Sequence, residues 1–210
     1  VNVIKTADNV AKLLKQVDAL TKLDVLVGIP AETTGRDGKM NNATIAYIHE
    51  FGSPAQNIPA RPFLRPGVKN AREDIAAEME KGAKEVLKGG DASVTLNRVG
   101  MIARNSVVKA ITNPNPPFAP LSPVTIRNRL RKTQAGRRQI KKLQQSGQSL
   151  SAWAQQRTPG GGLNIQPLLD TLQMRNAITY VIREAKRPST GTSWGYQKDY
   201  GKIITKVVTS

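Results

Sequence analysis

Between Asp91 and Asp170 the chain carries no carboxylate, while twelve Lys and Arg side chains fall in the same stretch. Such a block repels itself and cannot fold compactly onto its own surface at low cost. The flanks differ. Residues 1–91 hold 13 basic against 12 acidic side chains, and residues 170–210 hold 7 against 3. Most of the net charge of +17 therefore sits in the middle of the chain. Two readings stay open for the block: a solvated, self-repelling face or arm, or a contact surface for a polyanion, whether nucleic acid or acidic protein.

Apolar spacing predicts the elements on either side. Val10, Leu13, Leu14, Val17 and Leu20 recur at helical spacing after a cap at Thr6 or Asp8. The short run from Asp24 to Pro30 suits a buried strand, and residues 31–41, with two glycines, suit a loop. Asn42 can cap a short helix bearing Ile45, Ile48 and Phe51, stopped by Gly52. Prolines at 54, 59, 62 and 66 then require an extended or turning stretch from Ser53 to Pro66. Two longer helices are expected at about 68–88 and 93–112. Ser122-Pro123 reads as a cap with proline at the first helical position of a basic helix through Arg131. Pro167 to Arg175 suits a short turn or helix, and strand patterns return at Ile178 to Ile182 and Ile203 to Val208.

The expected fold is α+β: a small, mostly antiparallel sheet packed against long helices. Residues 1–132 and 163–210 form one such domain in this reading. Residues 133–162, rich in Gln, Ser, Lys, Arg and Gly, form a flexible basic and polar insertion. No apolar run approaches the ~20 residues that span a bilayer, and the N-terminal residues lack the layout of a secretory signal. The chain reads as soluble and made in a cytoplasm, with no membrane partner.

Catalytic chemistry is hard to assemble from these residues. With no cysteine there is no disulfide, thiolate metal site or cysteine nucleophile. The single histidine, His49, has Glu50 beside it, but neighbours on a helix point ~100° apart and make neither a triad nor a metal site. Gly160-Gly161-Gly162 is followed by Leu163-Asn164 instead of the Lys-Ser/Thr of a phosphate loop, and reads as a tether. Acids and bases at 69–84 are spaced as surface ion pairs. Neither an enzyme nor a cofactor or metal site is expected.

Four segments, in order, carry a resemblance. They are Ala46-Tyr47-Ile48-His49-Glu50-Phe51-Gly52, Ile58-Pro59-Ala60-Arg61-Pro62-Phe63-Leu64-Arg65-Pro66, Pro120-Leu121-Ser122-Pro123-Val124-Thr125-Ile126, and Leu168 to Ile178. They resemble the neck and tail-completion proteins that join head to tail in long-tailed bacteriophages. There, a Glu-Phe-Gly turn precedes a Pro-Ala-Arg-Pro-Phe-Leu loop, then Pro-Leu-Ser-x-x-Thr and Leu-x-Asp-Thr-Gly-x-x-Arg-x-Ser-Ile. The sequence departs from that pattern at Leu172, where Gly is common, and in the length of the 133–162 stretch. The resemblance implies a virion structural subunit without catalysis. It would sit as a ring of identical copies at the head–tail junction, against head-closure, tail-terminator or tube proteins.

Three groups of residues are candidate contacts. Arg61, Phe63, Leu64 and Arg65 lie in a loop that proline stiffens, and an aromatic beside arginines is a common interface anchor. The alternative is that Phe63 and Leu64 plug the core while Arg61 caps a local carbonyl. Ile203 and Ile204 begin a strand that could pair with another chain. Arg127, Arg129, Arg131, Lys132, Arg137, Arg138, Lys141 and Lys142 are candidates for contact with packaged DNA or an acidic partner. They also carry the competing reading, a basic nucleic-acid-binding protein, although no known reading motif accompanies them.

Overall fold

In the computed structural model, residues 2–31, 40–113, 118–156, 165–168, 172–184 and 203–207 are described. From the N-terminus they form α1 (Asn2–Lys22), β1 (Leu23–Ile29), α2 (Asn42–Phe51), a single 3-10 turn (Pro54–Gln56), α3 (Leu64–Asn70), α4 (Arg72–Leu87) and α5 (Ala92–Thr112). There follow α6 (Pro123–Arg131), α7 (Gln134–Ser146), α8 (Leu150–Gln155), α9 (Gln173–Asn176), β2 (Thr179–Glu184) and β3 (Ile203–Val207).

The chain is α+β. Its sheet has the order β2-β1-β3, and β1 is antiparallel to both neighbours. In register, Val25 faces Ile182 on one side and Val207 on the other. With a partner along each edge, β1 is buried from Asp24 to Ile29, as its apolar run requires. Its Val25, Val27 and Ile29 meet the stripe of α5, where Leu96, Val99, Ala103, Val107 and Ile111 are all fully buried in the same core. Those five positions recur every three or four residues, so one face of a long helix carries the load. The helices α1, α3 and α4 pack onto α5 in turn.

Several boundaries differ from the expected ones. The first helix starts at Asn2, ahead of Thr6 and Asp8. The cap of α2 is Asn41, whose side chain accepts from the Thr44 amide, while Asn42 is buried in the first turn. Gly52 stops α2 as expected, at φ 76°, a conformation that costs a side chain but not glycine. The helix expected at 68–88 is two helices, broken at Ala71 (φ −88°, ψ 0°), which lets both α3 and α4 lie on α5. The proline stretch turns helical earlier than expected, at Leu64. Pro66 is tolerated because the first turn of a helix needs no intrahelical partner for its amide.

The largest correction falls on residues 133–162, expected to be a flexible insertion. Helices occupy 134–146 and 150–155, and with α6 they enclose a second small core of Ile126, Leu130, Leu143 and Trp153. Leu121, Ile140, Leu150, Ala154 and Ile165 pack around it. Few apolar residues suffice because the four buried ones fall on the inward faces of helices. Thr133 and Ser149 cap α7 and α8 with their hydroxyls. Gly136 lets α7 approach α6: a Cβ there would lie 2.1 Å from the Leu130 carbonyl oxygen. The end of the expected insertion, 157–162, and its Gly-rich tether lie outside the described residues, as do most of the expected 31–41 loop.

Candidate functional site

The helix α3 begins with no polar side chain of its own to cap it, since its N-cap residue is Phe63. The orphan amides are met from elsewhere. Glu50, on the last turn of α2, is only 1% exposed, and its Oε2 accepts from the amides of Phe63 and Leu64, both at 2.9 Å. Its Oε1 accepts from the Arg65 amide at 3.1 Å and from Arg65 Nε at 2.9 Å. Pro66 has no amide to satisfy, and Gly67 N makes the first intrahelical bond, to the Phe63 carbonyl. Every donor of the first turn is therefore accounted for, and the negative charge sits at the positive end of the helix.

Arg61 makes the second tie. It is 6% exposed; its Nε donates to the Ala119 carbonyl at 2.7 Å and its Nη2 to the Pro120 carbonyl at 2.9 Å. Its own amide donates to the His49 carbonyl at 2.6 Å. Burial, and after it the nearby charge of Arg129, lowers the pKa of the Arg61 guanidinium below its ordinary value. Arg129 donates to the Gln166 carbonyl at 2.7 Å, and Gln166 Nε2 donates to the Asn113 carbonyl at 2.7 Å. Arginine-to-carbonyl bonds thus join the main core to the α6–α8 unit.

The candidate contact residues divide accordingly. Phe63 and Leu64 are 0% and 1% exposed and plug the core, and Arg61 caps local carbonyls; none of the three offers surface to another subunit from this conformation. Arg65 is exposed, and its guanidinium lies 5.0 Å from the centroid of the Phe51 ring. Phe51 in turn packs against Tyr47, the ring centroids 4.8 Å apart and the planes tilted by 44°, and both residues are nearly half exposed. The exposed side of this region is therefore Tyr47, Phe51 and Arg65. The backbone of Ile203 and Ile204 pairs with Ile29 and Gly28 of the same chain, so the strand expected as a donor to a neighbour completes its own sheet. Its outer edge and that of β2 have no partner strand among the described residues.

Of the basic candidates, Arg127, Arg131, Lys132, Arg137, Arg138, Lys141 and Lys142 are exposed, and Arg129 is half-buried in the junction. The structure brings them together on α6, on α7 and at the corner between them. There Arg137 Nη1 donates to the Arg131 carbonyl at 2.9 Å.

Sequence reasoning missed the role of Glu50, while it singled out Leu172 as a departure from the family pattern. Glu50 stands out only as an acid on an otherwise apolar helix turn; its role needs the amides of residues 63–65 folded back against it. Leu172 adopts φ 61°, ψ −5°, the left-handed conformation that glycine takes without strain. The local turn is thus the one a glycine would make, built here with leucine. Among the described residues no group of three or more His, Cys, Asp or Glu is placed to hold a metal, and no helix is long and apolar enough to cross a membrane.

No protein-family model and no solved structure matches the chain. It is 46% identical over 46 residues to the uncharacterized protein MJ0331 of Methanocaldococcus jannaschii, a match covering 22% of this chain and 34% of that protein. The chain thus spans about a third of the length of the curated relative it matches.

Proposed function

We propose that this chain is a non-enzymatic structural subunit of a tailed-phage virion, forming a ring of identical copies at the head–tail junction. One observation carries the reading. Three of the four segments that resemble neck proteins are tied together by Glu50 and Arg61: the Glu-Phe-Gly turn, the Arg61–Arg65 loop and the stretch that leads from Ala119-Pro120 into α6. Residues scattered over 75 positions that converge on two buried side chains act as one folding signature, which supports treating their ordered resemblance as meaningful. Beside them the signature leaves an exposed aromatic pair braced by Arg65, whose Nε is held by a buried carboxylate. A pre-ordered aromatic and arginine cluster loses little freedom on docking, as a subunit contact requires.

The test is complementation in the phage that encodes the chain, using Tyr47→Ser with Phe51→Ser. Both side chains are exposed, so circular dichroism and the unfolding midpoint should match the parent, while unjoined heads and tails accumulate. Cryo-EM of the parent virion should place the chain in a ring at the neck. Its absence from the particle, or full plaque formation by the double variant, overturns the proposal.

A further inference from the structure

We infer that the outer face of α6 and α7 binds the phosphate backbone of duplex DNA without preference for base sequence. Residues 118–156 hold eight basic side chains and no carboxylate. On α7 the inward positions are Gly136, Ile140 and Leu143. Helical geometry then turns Arg138, Lys141 and Lys142 to the opposite side, three and four residues apart, and all three are exposed. Arg127 and Arg131 form an exposed row one turn apart on α6. The Arg137 bond to the Arg131 carbonyl joins the two rows at the α6–α7 corner. The small core under these helices holds the cations in a fixed array, which lowers the ordering cost of binding.

The surroundings favour duplex phosphate over the other polyanions. Single strands are held by stacking bases on aromatic rings, and the one aromatic residue from 119 to 156, Trp153, is buried in the small core. An acidic protein partner would need apolar anchors at the centre of the contact. Of the large apolar side chains of α6, α7 and α8, Val124 alone is exposed. What remains is charge, which recognises a phosphate lattice. The inference does not rest on the neck reading, since it needs only these helices and their charges.

The experiment is a fluorescence-anisotropy titration of the full chain with a short mixed-sequence duplex over a range of salt concentrations. Binding should fall in the range of about 10⁻⁴–10⁻⁶ M near physiological salt and weaken steeply as salt rises. Replacing Arg138, Lys141 and Lys142 with Gln should weaken binding and make the log–log salt slope shallower by about 3, close to one unit per lost phosphate contact. The same number of charges removed elsewhere, by K12Q, K69Q and K81Q, should leave the slope unchanged; all three lysines are exposed and outside the unit. Equal losses in the two triple variants would assign the binding to net charge and overturn the inference. Tighter binding to a single strand of equal phosphate number, or to polyglutamate of equal charge, than to the duplex would overturn it in favour of those partners. Circular dichroism on each variant verifies that the helices persist, and a triple variant that unfolds is replaced by K141Q alone, for which a slope change near 1 is expected.

Discussion

Removing the Glu50 carboxylate strands the buried amides of Phe63 and Leu64 and the partly buried amide of Arg65. Each buried amide left without an acceptor costs about 1–3 kcal/mol. Glu50→Ala should therefore show a strongly lowered urea midpoint, and a midpoint within experimental error of the parent would show that the clasp contributes nothing. Phe63→Ala belongs beside it, with a cost of about 3–5 kcal/mol for a fully buried ring. Leu172 runs the other way. Its side chain is largely exposed while its backbone is left-handed, a conformation costing a non-glycine residue ~1–2 kcal/mol. Leu172→Gly relieves that strain but adds freedom to the unfolded chain, so a net gain of about 0.5–1 kcal/mol is expected in thermal unfolding. A lower melting temperature would contradict the strain argument.

Helix ends and small cores set the behaviour of the elements. Asp91 caps α5, and its carboxylate accepts from the amide and then the hydroxyl of Ser93, which together hold its pKa below the ordinary aspartate value. The sign follows from that depression. The cap's contribution is complete above the ordinary aspartate pKa and is lost as pH falls through the lower, folded-state value. Carbon-detected NMR titration should therefore find Asp91 titrating below a model aspartate, and the Asp91→Asn variant should lack this part of the acid dependence. Trp153→Ala opens the small core without touching the large one. Hydrogen exchange should then speed up across α6, α7 and α8 while the amides of α5 keep their protection. Uniform loss of protection in both regions would mean that the two cores unfold as one.

At the scale of the whole molecule, the sheet is closed by its most distant segment. β3 returns to pair with β1 across five register positions, Val25 to Ile29. Removing residues 203–210 leaves that edge of a buried, apolar strand open, which invites pairing between copies. The truncated chain should exchange its β1 amides faster and self-associate in sedimentation velocity; a monomer with unchanged β1 exchange would contradict the strand order β2-β1-β3. In this architecture the strand expected to reach for a neighbour also pairs within its own chain, along β1.

The amino-acid order by itself determined whatever depends on neighbours a few residues away. The stripe from Leu96 to Ile111 marks α5, the Ser122-Pro123 cap starts α6, the run from Val25 to Ile29 makes a strand, and Gly52 stops α2. The acid-free block was equally legible, because charge is counted without coordinates. Tertiary structure decided the rest. It split 64–87 into two helices so that both could reach α5, and it gathered four scattered apolar residues into a core under the basic helices. It also turned Glu50 and Arg61 inward. Their partners are the backbone groups of residues 63–65, 119 and 120, which every sequence possesses and only a fold can place beside a particular side chain.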